Sequence, residues 1–324
     1  GGAKTAMDQS IKWSQTRFQF GRPIADFELV KQKIARMSAL CYAMDSVLYM
    51  TTGMLDRHDE DIMLETAVCK VFCSEMGWRT VDNALQIMGG EGTMTENELE
   101  RIFRDSRINT IVEGANEVMQ SFIFAYGGKQ LAEKMLGIKD MADNKKFTPT
   151  MIKAALPLGR EVFLGIRNKA PSMTKLHPSL SPYGARMCRL ISELTYQFKN
   201  ISKKKDAAIV TAQVTQARLA DAAMYLHAWA CTLSRLDTDI RNNESGTEFD
   251  RNKASAIHFF DLAELAIHDA FRGLHENADD TMLTAADAAL AHSSTLDNKL
   301  FAIPESSPSD KGTGRVLKQD HIKQ

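Results

Sequence analysis

The chain lacks a surplus of charge of either sign. It has 40 Lys and Arg against 41 Asp and Glu, a net charge of −1, which gives no electrostatic ground for a nucleic-acid surface or an acidic tail. It also lacks any apolar run long enough to span a bilayer. The first residues, Gly1-Gly2-Ala3-Lys4, carry no basic-then-apolar leader and lead straight into helical sequence. A natural chain seldom begins inside a helix, so Gly1 is expected to be a cut site. Proline is scarce, with 8 residues mostly clustered, and strand-like alternation is nearly absent; the expected class is all-α. The 5 cysteines are odd in number, and Cys41, Cys69, Cys73, Cys188 and Cys231 each lie in apolar helical sequence. That fits reduced core thiols and not a disulfide framework. Cys69 and Cys73 share a helix face, but no further ligands stand at metal-binding spacing, so no metal site is expected.

What is present is helical periodicity. A helix is expected to about residue 17, stopped by Gly21 and Pro23. Val30, Ile34, Met37, Cys41, Met44, Leu48 and Leu55 keep the four-three spacing of a bundle stripe over about 26–55. Leu64, Val68, Val71, Trp78, Val81, Leu85 and Met88 continue it in a third helix, which stops at Gly89-Gly90. Residues 101–112 read as a partly extended connector, and Glu113 is expected to open a fourth helix. These four make a four-helix bundle over 1–138. A looser stretch around 137–157 marks a boundary, a second helical domain is expected over 150–298, and 299–324 reads as a flexible tail.

Four clusters could carry chemistry. Arg17-Phe18-Gln19-Phe20-Gly21-Arg22-Pro23 stands at a helix end, where an arginine can clamp a phosphate and an amide with an aromatic can hold a heterocycle; taken alone, a basic helix end followed by a turn accounts for it better. Gln86-Ile87-Met88-Gly89-Gly90 offers glycine amides to a pyrophosphate, or is a helix stop. Glu100, Arg101, Arg104, Asp105 and Arg107 form either an internal ion-pair cluster or a solvated face. Glu113-Gly114 follows Ile111 and Val112, an apolar wall beside which a carboxylate becomes a stronger base, and Gly114 leaves room for a substrate against the backbone. A carboxylate near a helix start is also ordinary structure.

The order and spacing of these clusters resemble the acyl-CoA dehydrogenase family. Arg17-Phe18-Gln19-Phe20-Gly21, Gln86-Ile87-Met88-Gly89-Gly90, Arg104-Asp105 and Val112-Glu113-Gly114 stand in family order across about the first 130 residues. The later helical part, with His177-Pro178-Ser179-Leu180, looks more loosely like the C-terminal extension of the very-long-chain branch. The resemblance implies the C-terminal part of a flavoprotein that introduces an α,β double bond into an acyl-CoA. Glu113 then matches the base that removes the α-proton. Gly114 matches the amide that polarises the thioester carbonyl. FAD contacts are implied at Arg17, Gln19, Phe20, Gln86, Gly89, Gly90, Ala115 and Glu117, with the first two clusters serving the flavin of a neighbouring subunit in a homodimer. Ala115 departs from the threonine usual there, and Val112 from a common aromatic. An electron-transferring flavoprotein is the implied acceptor, and the implied compartment is the cytoplasm of a bacterium or the mitochondrial matrix. By itself this stretch is expected to be inactive, since the family's helical and β domains lie outside it. A non-catalytic scaffold relative and an acyl-CoA oxidase are the alternatives. The apolar-basic run over 151–169 suits either a peripheral membrane contact or a helix covering the bundle.

Overall fold

A computed structural model describes residues 1–143, 156, 160, 165, 167 and 169–292. The run at 151–169 and the expected tail at 299–324 fall largely or wholly outside the described residues. The molecule is all-α. Helices α1 (Gly2–Thr16), α2 (Glu28–Asp56), α3 (Met63–Met88), α4 (Glu98–Arg107) and α5 (Asn116–Asp143) are followed by α6 (Ser181–Lys205), α7 (Gln213–Arg241) and α8 (Thr247–Gly273). Among the described residues, sheet is confined to a hairpin of β1 (Phe18–Gln19) and β2 (Arg22–Pro23), paired antiparallel. One compact unit covers residues 1–277; a second starts at Ala278 and contains α9 (Asp279–His292).

Helices α2 and α3 form where the apolar spacing placed them, although Leu48 and Leu55, expected in the α2 stripe, are exposed. On α3, Val68, Val71, Phe72, Met76, Val81, Ala84 and Met88 are buried, the three-four rhythm that turns one face inward. The core has three parts. Ala6, Met7, Met37, Cys41, Val81, Ala84 and Leu99 join α1 to α4. Leu40, Val47, Phe72 and Met76 of α2 and α3 share a second cluster with Leu190, Trp229, Leu233, Phe259 and Phe260 of α6, α7 and α8. Val68 and Val71 meet Ile123 of α5 and Ala220 and Met224 of α7 in a third. Trp229 stacks on Phe260 at 5.3 Å between ring centroids, and the Tyr42 hydroxyl donates to Asp239 Oδ2 at 3.0 Å. Residues on both sides of the expected boundary at 138–150 thus contribute to common cores.

One element differs from expectation. The supposed connector before Glu113 is mostly the helix α4. Glu98 and Glu100 lie in its first turn and Arg104 and Arg107 in its last, the arrangement that complements the helix dipole. Glu100 and Arg104 pair at 2.5 Å one turn apart, and Arg104 is exposed. The charge density there builds a solvated helix face, and a surface pair of this kind adds little stability. Among the described residues no helix is long and apolar enough to cross a membrane.

Candidate active site

After α4 the chain makes a 3-10 turn at Ile108–Thr110, and α5 begins only at Asn116. Glu113 therefore does not open the helix. It precedes it in the left-handed region at φ 56°, followed by Gly114 at φ 90°. Two successive positive φ values cannot continue into a right-handed helix, which is why α5 starts late. At Gly114 the φ demands glycine, and a Cβ there would lie 2.9 Å from Met119 Sδ and push that side chain aside. Ile111 and Val112, expected as a buried wall, are exposed by 53% and 43% in this chain, and Glu113 is exposed with them.

A left-handed glutamate costs about 1–2 kcal/mol and persists only where its surroundings hold it. Here α3 holds it. Lys70 Nζ donates to the Gly114 carbonyl at 2.6 Å and to Asn116 Oδ1 at 2.6 Å. Asn116 is 4% exposed, and its Nδ2 donates to Glu75 Oε1 at 2.8 Å and to Ser74 Oγ at 3.0 Å. Burial lowers the pKa of the Lys70 ammonium, while the carboxylates of Glu75, Glu117 and Glu113 pull it back up. The turn is thus pinned on both sides of Ala115. Among the described residues the Glu113 carboxylate makes no hydrogen bond or ion pair, and the Gly114 N–H donates to nothing. A free carboxylate and a free backbone donor stand on adjacent, fixed residues.

The remaining sequence-derived site residues lie elsewhere. Arg17, Phe18, Gln19 and Phe20 form the hairpin after α1, with Phe20 at φ 53° and 93% exposed. Gln86, Gly89 and Gly90 end α3, with Gly89 at φ 62°. The Arg17, Gln19 and Gln86 side chains are exposed and make no hydrogen bond or ion pair among the described residues. A Cβ on Gly90 would meet nothing within 4 Å, so its lack of a side chain answers no crowding inside this chain. Lys70 and Gln86 are separated by about 24 Å at the helical rise of 1.5 Å per residue. The anchor of the Glu113 turn and the Gln86–Gly90 cluster therefore sit far apart along one helix. Ala115 and Glu117 flank Asn116 and belong to the Glu113 side.

A cavity of about 230 Å³ opens between the start of α1 and the middles of α2 and α3, lined by Met44, Asp45, Leu48, Ser74, Trp78 and Asn109. Ser74 faces it and also bonds to Asn116, so the cavity adjoins the support of the turn. Among the described residues no group of three or more His, Cys, Asp or Glu is placed to hold a metal. Sequence reasoning missed Lys70, Ser74, Glu75 and Asn116. Only Asn116, a helix-start residue before an apolar run, carried a readable signal; the others face partners more than 40 residues away.

Comparison with known proteins agrees with this architecture. Residues 1–126 match the family profile described as acyl-CoA dehydrogenase, C-terminal domain. The very long-chain specific acyl-CoA dehydrogenase of mouse is 31% identical over 237 residues, covering 72% of this chain and 36% of the mouse protein. The human enzyme of the same name is 33% identical over 231 residues, covering 70% and 35%. The crystal structure of an acyl-CoA dehydrogenase complexed with FAD from Bacillus anthracis superposes with a TM-score of 0.66 at 25% identity, over 91% of this chain and 50% of that one. The chain spans about a third of the length of these curated relatives. It belongs to the acyl-CoA dehydrogenase family, of which residues 1–126 are the C-terminal domain.

Proposed function

We propose that the full protein is an FAD-dependent dehydrogenase of long-chain acyl-CoA thioesters, with Glu113 as its catalytic base. The observation that carries this reading is the pinned turn, which presents an unpaired carboxylate at Glu113 beside an unpaired N–H at Gly114. An α-proton next to a thioester is only weakly acidic. A hydrogen bond from Gly114 N–H to the thioester oxygen stabilises the enolate-like charge that develops as the proton leaves. Glu113 then accepts that proton. When bound, FAD supplies the hydride acceptor for the β-hydrogen. The Lys70–Asn116 support keeps base and donor in register, so little reorganisation is needed at reaction.

The unpaired Arg17, Gln19 and Gln86 side chains, exposed Phe20 and the open backbone at Gly89 and Gly90 suit a flavin nucleotide: cations and amides for its phosphates and ring edge, glycine for close approach. Their separation from the Glu113 turn supports a homodimer in which one copy gives the base and the other these flavin contacts. Ala115 and Glu117 complete the Glu113 side. The long-chain preference follows the names of the relatives, and an electron-transferring flavoprotein is the proposed acceptor. The proposed compartment is the cytoplasm of a bacterium or the mitochondrial matrix.

The test is Glu113→Gln in the full-length protein, mixed anaerobically with a long-chain acyl-CoA. Flavin bleaching should slow by about 10²–10⁴-fold, the range lost with a general base, at unchanged flavin content. Bleaching at the wild-type rate would overturn the assignment.

A further inference from the structure

The turn at Glu113 is held from two sides, and α3 is only one of them. The other is α7, in the helical part beyond the matched family domain. Gln120, one turn into α5, donates from Nε2 to Asp221 Oδ1 at 2.7 Å. Asp221 lies on α7 and faces Arg79 and Glu75 of α3. Glu75 is the residue that accepts from Asn116. The start of α5 is thus fastened to α3 through Asn116 and to α7 through Gln120.

An apolar contact runs beside this polar one. Met119 lies directly behind Gly114, close enough that a Cβ on the glycine would collide with its sulfur. Met119 packs against the cluster that contains Ala220 and Met224 of α7. Ala220 and Asp221 are neighbours in sequence, so the same short piece of α7 supports the turn through packing and through a hydrogen bond.

We infer that α7 acts as a clamp on the catalytic turn, with Asp221 a positioning residue for Glu113 and Gly114. The inference rests on the reading of Glu113 as base only for its effect on rate; its effect on the turn stands without that reading. Asp221 touches no reacting atom. Its work is to fix Gln120, and so the first turn of α5, from which Ala115, Gly114 and Glu113 hang. Asparagine keeps an oxygen to accept from Gln120, whereas leucine does not. Gln120→Leu breaks the same bond from the other side.

The test has two readouts on the full-length flavoprotein: amide hydrogen exchange of residues 110–119, and the anaerobic rate of flavin reduction by a long-chain acyl-CoA. Asp221→Leu and Gln120→Leu should each speed exchange in the turn and slow flavin reduction by about ten-fold, the worth of one buried hydrogen bond. Asp221→Asn should restore both to within about two-fold of wild type. Leu233→Ala supplies the control, since Leu233 is fully buried on α7 about three turns beyond Asp221, in the core shared by α2, α3, α6 and α8 and not in the cluster that holds Met119. It should lower the melting temperature and leave both readouts unchanged. Wild-type exchange and reduction in Asp221→Leu, or the same losses in Leu233→Ala, would overturn the clamp. Unaltered flavin reduction in Glu113→Gln would remove the base assignment instead, and the exchange results would still decide whether α7 holds the turn.

Discussion

Burial pushes the Asp221 carboxyl up to about 6, against the pull of the Gln120 hydrogen bond and the Arg79 charge. Its ordinary value in an unfolded chain is about 3.9. A raised carboxyl favours folding fully only below that unfolded value, and the advantage is lost as pH rises through 6. At neutral pH the ionised Asp221 therefore costs the fold on the order of 3 kcal/mol relative to a neutral isostere. Asp221→Asn should be more stable than wild type at pH 7.5, and urea titrations should show the gap closing as pH falls from 6 to 4. A gap that widens on acidification would contradict this. A residue kept at such a cost beside the candidate site fits the clamp proposed for it. Glu113 itself illustrates what a sequence reveals at this scale. Its identity and the glycine after it were legible; the left-handed turn that carries them was not, because it is held by Lys70 of another helix, which bonds the Gly114 carbonyl and Asn116.

Among the elements, α2 and α3 were readable from their apolar spacing, since helices that bury one face must repeat every three to four residues. The helix α4 was not. It has only Leu99 fully buried, with Ile102 and Phe103 packed against the same core, so its apolar rhythm is short and is masked by the charges around it. How α5 meets α6 was equally hidden. A Cβ on Gly128 would lie 2.5 Å from the Phe198 ring, so glycine allows a close crossing that no local pattern announces. Gly128→Ala should displace Phe198 and cost about 1–3 kcal/mol, the usual range for overpacking. Denaturant melts of Gly128→Ala and Gly127→Ala separate this from a simple propensity effect, because the Cβ on Gly127 would meet Leu64 at an ordinary 3.6 Å. Equal stability of the two variants would refute the close-crossing account.

For the whole molecule, the physical question is how two distant clusters serve one reaction. Glu113 and Gly114 are anchored near Lys70, whereas Gln86, Gly89 and Gly90 end the same helix about 24 Å away. Arg17, Gln19 and Phe20 form an exposed hairpin in which the Arg17 and Gln19 side chains are unpaired among the described residues. On the proposed reading each copy carries two half-sites, which a homodimer would bring together. The order of the motifs and the unbroken α3 from Met63 to Met88 were legible in sequence; their separation was not, since it depends on Lys70 of α3 holding the Glu113 turn across 44 residues of sequence.

Mixed dimers of the full-length protein measure this directly. One subunit carries Glu113→Gln and the other carries Arg17→Ala with Gln86→Ala. Each variant alone should be nearly inactive in flavin reduction by acyl-CoA. In the mixed dimer the shared-site account places both defects in one site and leaves the other intact, so about half of the wild-type rate per dimer should return, the additivity expected of independent sites. No recovery above the two parent variants would show that base and flavin contacts act within one chain, and would contradict the account.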